Sequence, residues 1–212
     1  MAHQFSNLTF TDDVAAVQTE MGSRKANQML NQHGPANNTF TPDERDFIAA
    51  RDGFYIATIG KIGWPYIQFR GGPIGFLHVL DDRTLAYADI TGNRQYITTG
   101  NLRSNRHASL FLMDYPHQTR LKILGDVEVI PWSKAPDWKS QLKIPPRGKP
   151  ERAVIIHLAA FDWNCPQNIP QRWTIEELQR TPLFTKIAEL EDEVKDLRAA
   201  LATAQTEAKL PR

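Results

Sequence analysis

Hydrophobic and polar positions alternate with a period of two through the middle of the chain, which is the pattern of β-strands. These runs are rich in β-branched and aromatic residues, and turns containing Gly, Pro or Asp separate them. The pattern predicts strands at 54–59, 65–70, 75–80, 84–89, 108–113, 121–130 and 153–159. Six to seven short strands at this spacing favour an antiparallel β-barrel, in a mainly β chain with helices (α+β).

The connections between the predicted strands set their direction. Residues 60–63 and 81–83 are short enough for hairpin turns, so the strands that they join are expected to be antiparallel. One long helical insert, residues 93–105, is predicted between the fourth and fifth strands.

In the residues before the predicted barrel, the spacing of apolar positions is that of helices. Residues 10–22 carry apolar residues at helical spacing after an acidic first turn and end on a glycine, which predicts an amphipathic helix. Residues 23–40, rich in Asn, Gln, Gly and Pro, are predicted to form a loop. Thr41 as N-cap and Pro42 in the first turn predict a second helix that runs to about Ala50.

The C-terminal residues after Pro182 form a heptad pattern of apolar positions four and three residues apart. Heptad position a is occupied by Ile187, Val194 and Leu201, and position d by Leu183, Leu190, Leu197 and Ala204. β-branched residues at position a with leucine at position d favour a parallel two-stranded coiled coil. The alternative is an amphipathic helix that packs on its own domain.

Three regions follow from these patterns. Residues 1–52 are expected to be a helical segment that packs on the barrel, residues 53–172 the barrel itself, and residues 173–212 a helical tail.

Composition excludes several classes of protein. Lys and Arg number 25 against 24 Asp and Glu, so no overall charge attracts nucleic acid or an acidic membrane. The chain lacks a basic and apolar leader and any run of about 20 apolar residues, so we expect a cytoplasmic protein. The histidines are scattered, which predicts no metal site. A single cysteine, Cys165, is expected to be an inert thiol rather than a nucleophile.

Candidate chemistry begins where the fourth strand gives way to the helical insert, at residues 89–95. A helix N-terminus offers free backbone N–H groups and the positive end of a dipole, which suits a phosphate group. The guanidinium of Arg94 can donate two hydrogen bonds to the oxygens of a phosphate. Thr91, Asn93 and Gln95 add neutral donors. The alternative is that these side chains are solvated helix caps.

Two further segments carry polar residues suited to a heterocyclic ligand. Gln68 and Arg70 alternate on one face of a predicted strand, although a polar pair facing water would look the same. The loop from Trp163 contains the carboxamides of Asn164 and Gln167, which can both donate and accept hydrogen bonds. The alternative for this loop is a rigid surface turn whose tryptophan caps the core.

With these residues identified, the chain resembles the family of pyridoxamine 5'-phosphate oxidase-like split β-barrel flavoproteins. The resemblance covers roughly residues 44–172 and is carried by segments 63–72, 75–85, 88–95 and 163–167. It implies a split barrel, a homodimer, and flavin mononucleotide (FMN) bound between the subunits.

The resemblance also implies roles for individual residues. Asn93, Arg94 and Gln95 would replace the family's Ser-Arg-Lys phosphate clamp, and Arg70 and Lys122 would add positive charge. Gln68 and the backbone at Ala88 and Asp89 would line the ring and the ribityl chain. The loop from Trp163 to Gln167 would close over the ring, from the other subunit.

Two departures from the family pattern bear on activity. Nothing after Trp173 matches the Arg-Leu-His-type motif that grips the substrate phosphate in the vitamin B6 oxidase, and Gln95 lacks the charge of the clamp lysine. We therefore expect an FMN-dependent oxidoreductase acting on another small organic molecule, with no catalytic residue identified. The alternatives are a non-catalytic flavin-binding or flavin-sensing dimer and a related barrel that binds haem or a deazaflavin.

Overall fold

The computed structural model describes residues 3–163 and 166–207. The chain divides into two compact units, Met1–Ile169 and Pro170–Arg212. The first contains one seven-stranded antiparallel sheet with the strand order β2-β1-β5-β6-β7-β4-β3. The strands are β1 (Gly53–Ile59), β2 (Pro65–Gly71), β3 (His78–Val79), β4 (Thr84–Ile90), β5 (His107–Asp114), β6 (Thr119–Pro131) and β7 (Pro150–Trp163).

The sheet curls into a barrel around a single main core. Phe54 on β1 and Tyr87 on β4 are separated by three strands in the sheet order, yet their ring centroids lie 5.5 Å apart. Phe76 stacks on Phe54 with centroids 5.6 Å apart, which closes the core on one side. The predicted α+β class and antiparallel split barrel are therefore confirmed, and both predicted hairpins pair as expected.

The third strand is shorter than predicted. Only His78–Val79 pairs with β4. Gly75 has a φ of 76°, and the Phe76 N–H donates to the Pro73 carbonyl at 2.9 Å, so residues 73–76 form a turn instead of extending. The prediction of a strand over 75–80 was wrong for its first half. Phe76 and Leu77 are buried, but they follow a turn and do not belong to the sheet.

Seven α-helices accompany the sheet in the described part of the chain. They are α1 (Gln4–Thr9), α2 (Asp12–Glu20), α3 (Arg24–His33), α4 (Pro42–Ala49), α5 (Ile97–Ser104), α6 (Ile175–Gln179) and α7 (Pro182–Glu207). The helices predicted over 10–22 and from Thr41 to about Ala50 correspond to α2 and α4. Thr41 and Glu44 form a capping box at the start of α4.

The loop predicted over residues 23–40 was wrong, because α3 occupies more than half of it. Local composition suggested a loop, but tertiary contacts hold the helix. The His3 N–H donates to the Asn31 carbonyl at 2.8 Å, and the His3 ring lies 3.0 Å from the Asn37 amide nitrogen. These bonds tie the C-terminal part of α3 and the residues after it to the buried residues at the start of α1.

The second unit contains α6 and α7. Thr174 caps α6 with its hydroxyl accepting from the Glu177 N–H at 3.1 Å. The large heptad residues of α7, from Leu183 to Leu201, are exposed along the helix. Within residues 3–163 and 166–207, no helix is both long and apolar enough to cross a bilayer.

A charged cluster joins α4 to the β5–β6 hairpin. Arg51 follows α4 and pairs with the mostly buried carboxylate of Asp114 at 2.8 Å, and it also donates to the Met113 carbonyl at 3.2 Å. Burial tends to raise the pKa of Asp114, but hydrogen bonds from His117 and the charge of Arg51 outweigh that effect, so its pKa is lowered.

We expect Asp114→Asn to lower the free energy of unfolding by about 1–3 kcal/mol at neutral pH, because it removes the charge that Arg51 faces. A depressed pKa stabilises the fold above the carboxyl's unfolded pKa, near 4, and this stabilisation is lost as pH falls through the folded value. Urea unfolding at pH 7 and pH 3 should show the gap between wild type and variant shrinking at the lower pH.

The matched control is Asp126→Asn, which removes an exposed carboxylate that lies 3.1 Å from His107 on the same strand pair. Its effect should stay within about 0.5 kcal/mol. Equal losses for the two variants would show that the Asp114 pair has no special part in stability.

Candidate functional site

A polar cleft lies where the two sides of the split barrel approach each other. It has a volume of about 150 Å³. Strand β2 supplies one wall, β4 and β7 supply the other, and the 91–96 loop with the first turn of α5 forms the rim. Its lining residues are Tyr66, Gln68, Arg70, Asp89, Ile90, Gly92, Asn93, Arg94, Gln95, Tyr96, Ile97, Thr98, Thr99 and Arg152.

The buried carboxylate of Asp89 holds the walls of this cleft together. Its Oδ2 accepts from Arg152 Nε at 2.8 Å, and its Oδ1 lies 3.5 Å from a terminal nitrogen of Arg70. Arg70 is on β2 and Asp89 is on β4, strands near opposite ends of the sheet order. One carboxylate therefore pairs with Arg152 in its own wall and with Arg70 across the split.

Arg152 is held by several groups at once. Its Nη2 lies 2.8 Å from Asp89 and 2.7 Å from Glu151, and its guanidinium lies 4.8 Å from the centre of the Tyr96 ring. Burial alone would lower the pKa of Arg152, but the two carboxylates raise it. Arg152 is thus a fixed positive charge in the cleft wall.

Glu151 supports the rim from outside the cleft. The hydroxyls of Thr91 and Tyr96 donate to its Oε1 at 3.0 and 3.3 Å. Desolvation opposes ionisation of Glu151, but these hydrogen bonds and Arg152 lower its pKa. The rim loop is therefore tied to β7 through an ionised carboxylate.

Tyr87 lies beneath the cleft with its ring in the core. Burial raises its pKa to about 12, an effect that Asp89 reinforces and that Arg70 and Arg152 partly oppose. The phenol therefore stays neutral at physiological pH. The positive charge of Arg70 acts on this phenol, so the aromatic core and the cleft meet at this residue.

The rim loop has an unusual backbone. Arg94 and Tyr96 have φ values of 62° and 53°, in the left-handed region that costs energy for residues with a Cβ. The Asn93 side chain accepts from the Gln95 N–H at 3.1 Å, which stabilises the turn between them. As a result, α5 begins at Ile97 and not at Asn93 as predicted.

Helix α5 is joined to β2 by a buried hydroxyl. Thr98 donates to Gln68 Oε1 at 3.0 Å. This bond fixes the Gln68 amide against the first turn of α5, and the free N–H groups of that turn belong to residues that line the cleft.

The cleft is suited to an anion. Its lining contains three arginines (Arg70, Arg94 and Arg152) and one carboxylate, Asp89. The Nε of Arg70 is buried and has no hydrogen-bond partner, which is costly for a charged group unless a ligand supplies an acceptor. A phosphate fits this donor set. In the described part of the chain, no three His, Cys, Asp or Glu side chains converge as metal ligands.

The structure brings six of the residues singled out by sequence into this cleft: Gln68, Arg70, Asp89, Asn93, Arg94 and Gln95. Thr91 lies beside them and donates to the Lys149 carbonyl and to Glu151. The Ala88 side chain is buried in a small apolar cluster, so only its backbone could face a ligand, as the sequence analysis assumed.

The other predicted residues that the structure describes lie elsewhere in the subunit. Lys122 pairs with Asp162 at 2.9 Å. Trp163 donates to Glu44 at 2.7 Å and packs edge-on against Phe47, which matches the alternative interpretation of a tryptophan that caps the core. Gln167 is exposed in a turn, and Asn164 lies outside the described residues, as does Cys165.

Sequence reasoning missed several lining residues. Tyr66 could have been found, because it shares the period-two face of Gln68 and Arg70. Arg152 could not, because its place depends on the pairing of β4 with β7, in which it lies opposite Asp89. Tyr96 was missed because the helix was predicted to begin at Asn93, whereas α5 begins at Ile97.

Comparison with known proteins identifies the family that the chain matches. The family model described as pyridoxamine 5'-phosphate oxidase matches residues 40–160. No curated protein sequence matches the chain.

Several solved structures are similar in fold. HupZ from Group A Streptococcus has 17% identity and a TM-score of 0.47, with 63% of this chain and 100% of that chain covered. A putative pyridoxamine 5'-phosphate oxidase from Lactobacillus delbrueckii has 20% identity and a TM-score of 0.45, with 59% of this chain and 94% of that chain covered. An FMN-binding protein from Syntrophomonas wolfei has 10% identity and a TM-score of 0.43, with 70% of this chain and 97% of that chain covered.

The match to the family model spans more than half of the chain and takes in the strands and the rim loop of the cleft. The chain therefore belongs to the pyridoxamine 5'-phosphate oxidase family.

Proposed function

We propose that the cleft binds the phosphate of FMN and that the protein is an FMN-dependent oxidoreductase acting on a small organic substrate. The observation that carries the proposal is the buried, unpartnered Nε of Arg70 in a cleft rich in arginine. Membership of the pyridoxamine 5'-phosphate oxidase family supports it.

The charge of the cleft favours the binding of a phosphate monoester. The lining contains three guanidinium groups and the carboxylate of Asp89, and the ionised Glu151 pairs with Arg152, which leaves an excess of one positive charge. A phosphate monoester carries about 1.5 to 2 negative charges at neutral pH. Arg94 at the rim and Arg70 in the wall can each give charge-assisted hydrogen bonds to its oxygens.

The rim loop is already shaped for such a ligand. Its left-handed residues Arg94 and Tyr96 hold a conformation that costs on the order of 1–3 kcal/mol each and persists only because the surrounding structure enforces it. The bond from the Gln95 N–H to the Asn93 side chain and the bond from Tyr96 to Glu151 supply that enforcement. A preformed loop lowers the cost of binding an anion.

The cleft of one subunit is too small for a whole FMN molecule. Its volume of about 150 Å³ is below the roughly 300–1,000 Å³ of a typical small-molecule pocket. The phosphate and part of the ribityl chain fit there, so we propose that a second subunit completes the pocket around the ring. The predicted contributions of Lys122, Asn164 and Gln167 belong to that part of the site, whereas Trp163 caps the core of its own subunit.

The outer face of β1 and β2 is a suitable surface for the second subunit. This apolar β1–β2 face comprises Tyr55, Ile59, Trp64, Ile67 and Phe69, which are 37–75% exposed. Ile67 and Phe69 alternate along β2 with Gln68 and Arg70. The same strand therefore presents polar residues to the cleft and apolar residues to a neighbour, and we propose a homodimer with FMN at the interface.

Bound flavin supplies a ring that accepts a hydride from an organic donor and passes the electrons to an acceptor such as oxygen. The residues of this chain hold the cofactor in place. Arg70 and Arg94 bind the phosphate, Asp89 and Thr98 fix Arg70 and Gln68, and Gln68 lies where it can donate to the ribityl chain or the ring.

The phosphate site is tested by comparing FMN with riboflavin, which lacks the phosphate. We expect Arg94→Ala to weaken FMN binding by about 1.5–3 kcal/mol, roughly 10- to 150-fold in Kd, and to leave riboflavin binding unchanged. Titration followed by flavin fluorescence measures both. Arg94→Gly should behave in the same way, because the loss concerns the guanidinium and not the left-handed backbone.

Arg83→Ala is the matched control, because Arg83 is an exposed arginine in the β3–β4 turn and is absent from the cleft lining. It should leave both affinities unchanged. If wild-type protein binds riboflavin as tightly as FMN, or binds neither, the cleft is not a flavin phosphate site.

The oxidoreductase activity is tested on the FMN-loaded protein. Oxygen consumption with reduced nicotinamide as the donor, and then with a panel of small amines and alcohols, should exceed the rate of the same concentration of free FMN. Tight FMN binding with no excess rate for any donor would instead indicate the flavin-binding or flavin-sensing dimer.

The dimer interface is tested by placing a charge on the apolar β1–β2 face. We expect Ile67→Glu to shift the protein toward the monomer in sedimentation experiments and to weaken FMN binding, because an unpaired carboxylate is costly in an interface. Met21→Glu, a charge placed on an exposed residue at the end of α2, should change neither. An Ile67→Glu dimer with normal FMN affinity would show that the second subunit binds elsewhere.

A further inference from the structure

Helix α7 presents a continuous apolar stripe to solvent. Every described side chain of the stripe is at least 41% exposed, which is unusual for six large aliphatic residues on one helix face. They are Leu183, Ile187, Leu190, Val194, Leu197 and Leu201.

Nothing in the described part of the second unit is long enough to cover this stripe. From Leu183 to Leu201 the helix rises about 27 Å at 1.5 Å per residue. Helix α6, the other helix of the unit, has 5 residues, which corresponds to about 7 Å. An apolar stripe with a strict four-three spacing is typical of a helix that pairs with another helix.

We propose that α7 forms a parallel, in-register coiled coil with α7 of a second copy of this chain. Ile187 and Val194 occupy heptad position a, and Leu183, Leu190 and Leu197 occupy position d. β-branched residues at position a with leucine at position d pack best in parallel two-stranded coils.

The charges flanking the stripe favour the parallel arrangement. In a parallel pair, each residue at position g faces the residue at position e that lies five places later on the other helix. Lys186 then faces Glu191 of the second copy, and Glu193 faces Arg198. Both contacts occur twice by symmetry, so all four charged pairs are attractive.

The antiparallel arrangements are less favourable. With the stripes in full overlap, each residue at position a meets one at position d, and Glu191 and Glu193 each face their own copies, which is repulsive. A shift of one heptad relieves this repulsion, but it moves two residues of each stripe beyond the partner's stripe: Leu183 and Ile187 in one direction, or Leu197 and Leu201 in the other. In the parallel register, each of the six stripe residues faces the same residue of the second copy, and no like charges face each other.

The coil is short, so its stability depends on concentration. The stripe from Leu183 to Leu201 spans fewer than three heptads, so the pair buries little apolar surface. Pairing is therefore expected to become complete only at high protein concentration, or where other contacts already hold the two copies together.

The proposal is tested by disulfide trapping in the full-length chain with Cys165→Ser as the background. In a parallel in-register coil, the two copies of residue 190 face each other within disulfide reach. Leu190→Cys should give most of the protein as a covalent dimer under mild oxidation, read on a non-reducing gel. Asp192→Cys, at the outer heptad position f of the same helix, is the matched control and should remain mostly uncrosslinked.

Direction is read from mixtures of variants. A mixture of Leu190→Cys with Val194→Cys, or with Leu201→Cys, should yield homodimers of each variant under the proposal. Heterodimers formed without Leu190→Cys homodimers would mean an antiparallel pair and would overturn it. Crosslinking at position 190 that is no greater than at position 192 would also overturn it.

The charge argument has its own test in the Leu190→Cys background. Lys186→Glu together with Arg198→Glu makes all four flanking contacts repulsive and should lower the crosslinked fraction several-fold, with recovery at high salt. The matched control is Lys195→Glu together with Lys25→Glu. It changes the net charge equally, at the outer heptad position b of α7 and at an exposed residue of α3, and should have little effect. Equal effects of the two double variants would refute the proposed register.

Discussion

The ion pairs of Asp89 organise the cleft. This carboxylate is almost fully buried, and a buried charge is tolerated only when it is paired and hydrogen-bonded. Its partners, Arg70 and Arg152, come from β2 and β7, and Arg70 reaches it from the opposite end of the sheet. The requirement to neutralise one carboxylate thus brings two arginines to the same place, with an excess of positive charge in the cleft.

The aromatic core beneath the cleft makes this arrangement possible. Phe54, Phe76 and Tyr87 pack together across the barrel and bring β1 close to β4. Because Tyr87 is neutral and its phenol is influenced by the charge of Arg70, the apolar core ends in a polar group at the point where the cleft begins. Packing therefore sets the width of the split, and charge pairing sets what lines it.

Strand β2 connects cofactor binding with assembly. The two-residue period of a strand places Gln68 and Arg70 on the cleft side and Ile67 and Phe69 on the outer side. A neighbour that covers the outer face would restrict the strand that supplies the cleft wall. Under the proposed function, cofactor affinity and dimerisation are coupled through this strand, whereas the heptad helix α7 belongs to a separate unit of the chain.

Local periodicity and the turn residues between elements were enough to predict most strands, the hairpins and the heptad helix. They also identified most of the rim and the β2 wall, since residues 93–95 are contiguous and Gln68 and Arg70 alternate. Local composition misjudged α3, which contacts with the N-terminal residues stabilise, and the start of α5, which two left-handed residues delay. The place of Arg152 and the pairing role of Asp89 came from the tertiary fold alone, because strand pairing between segments about sixty residues apart leaves no local pattern.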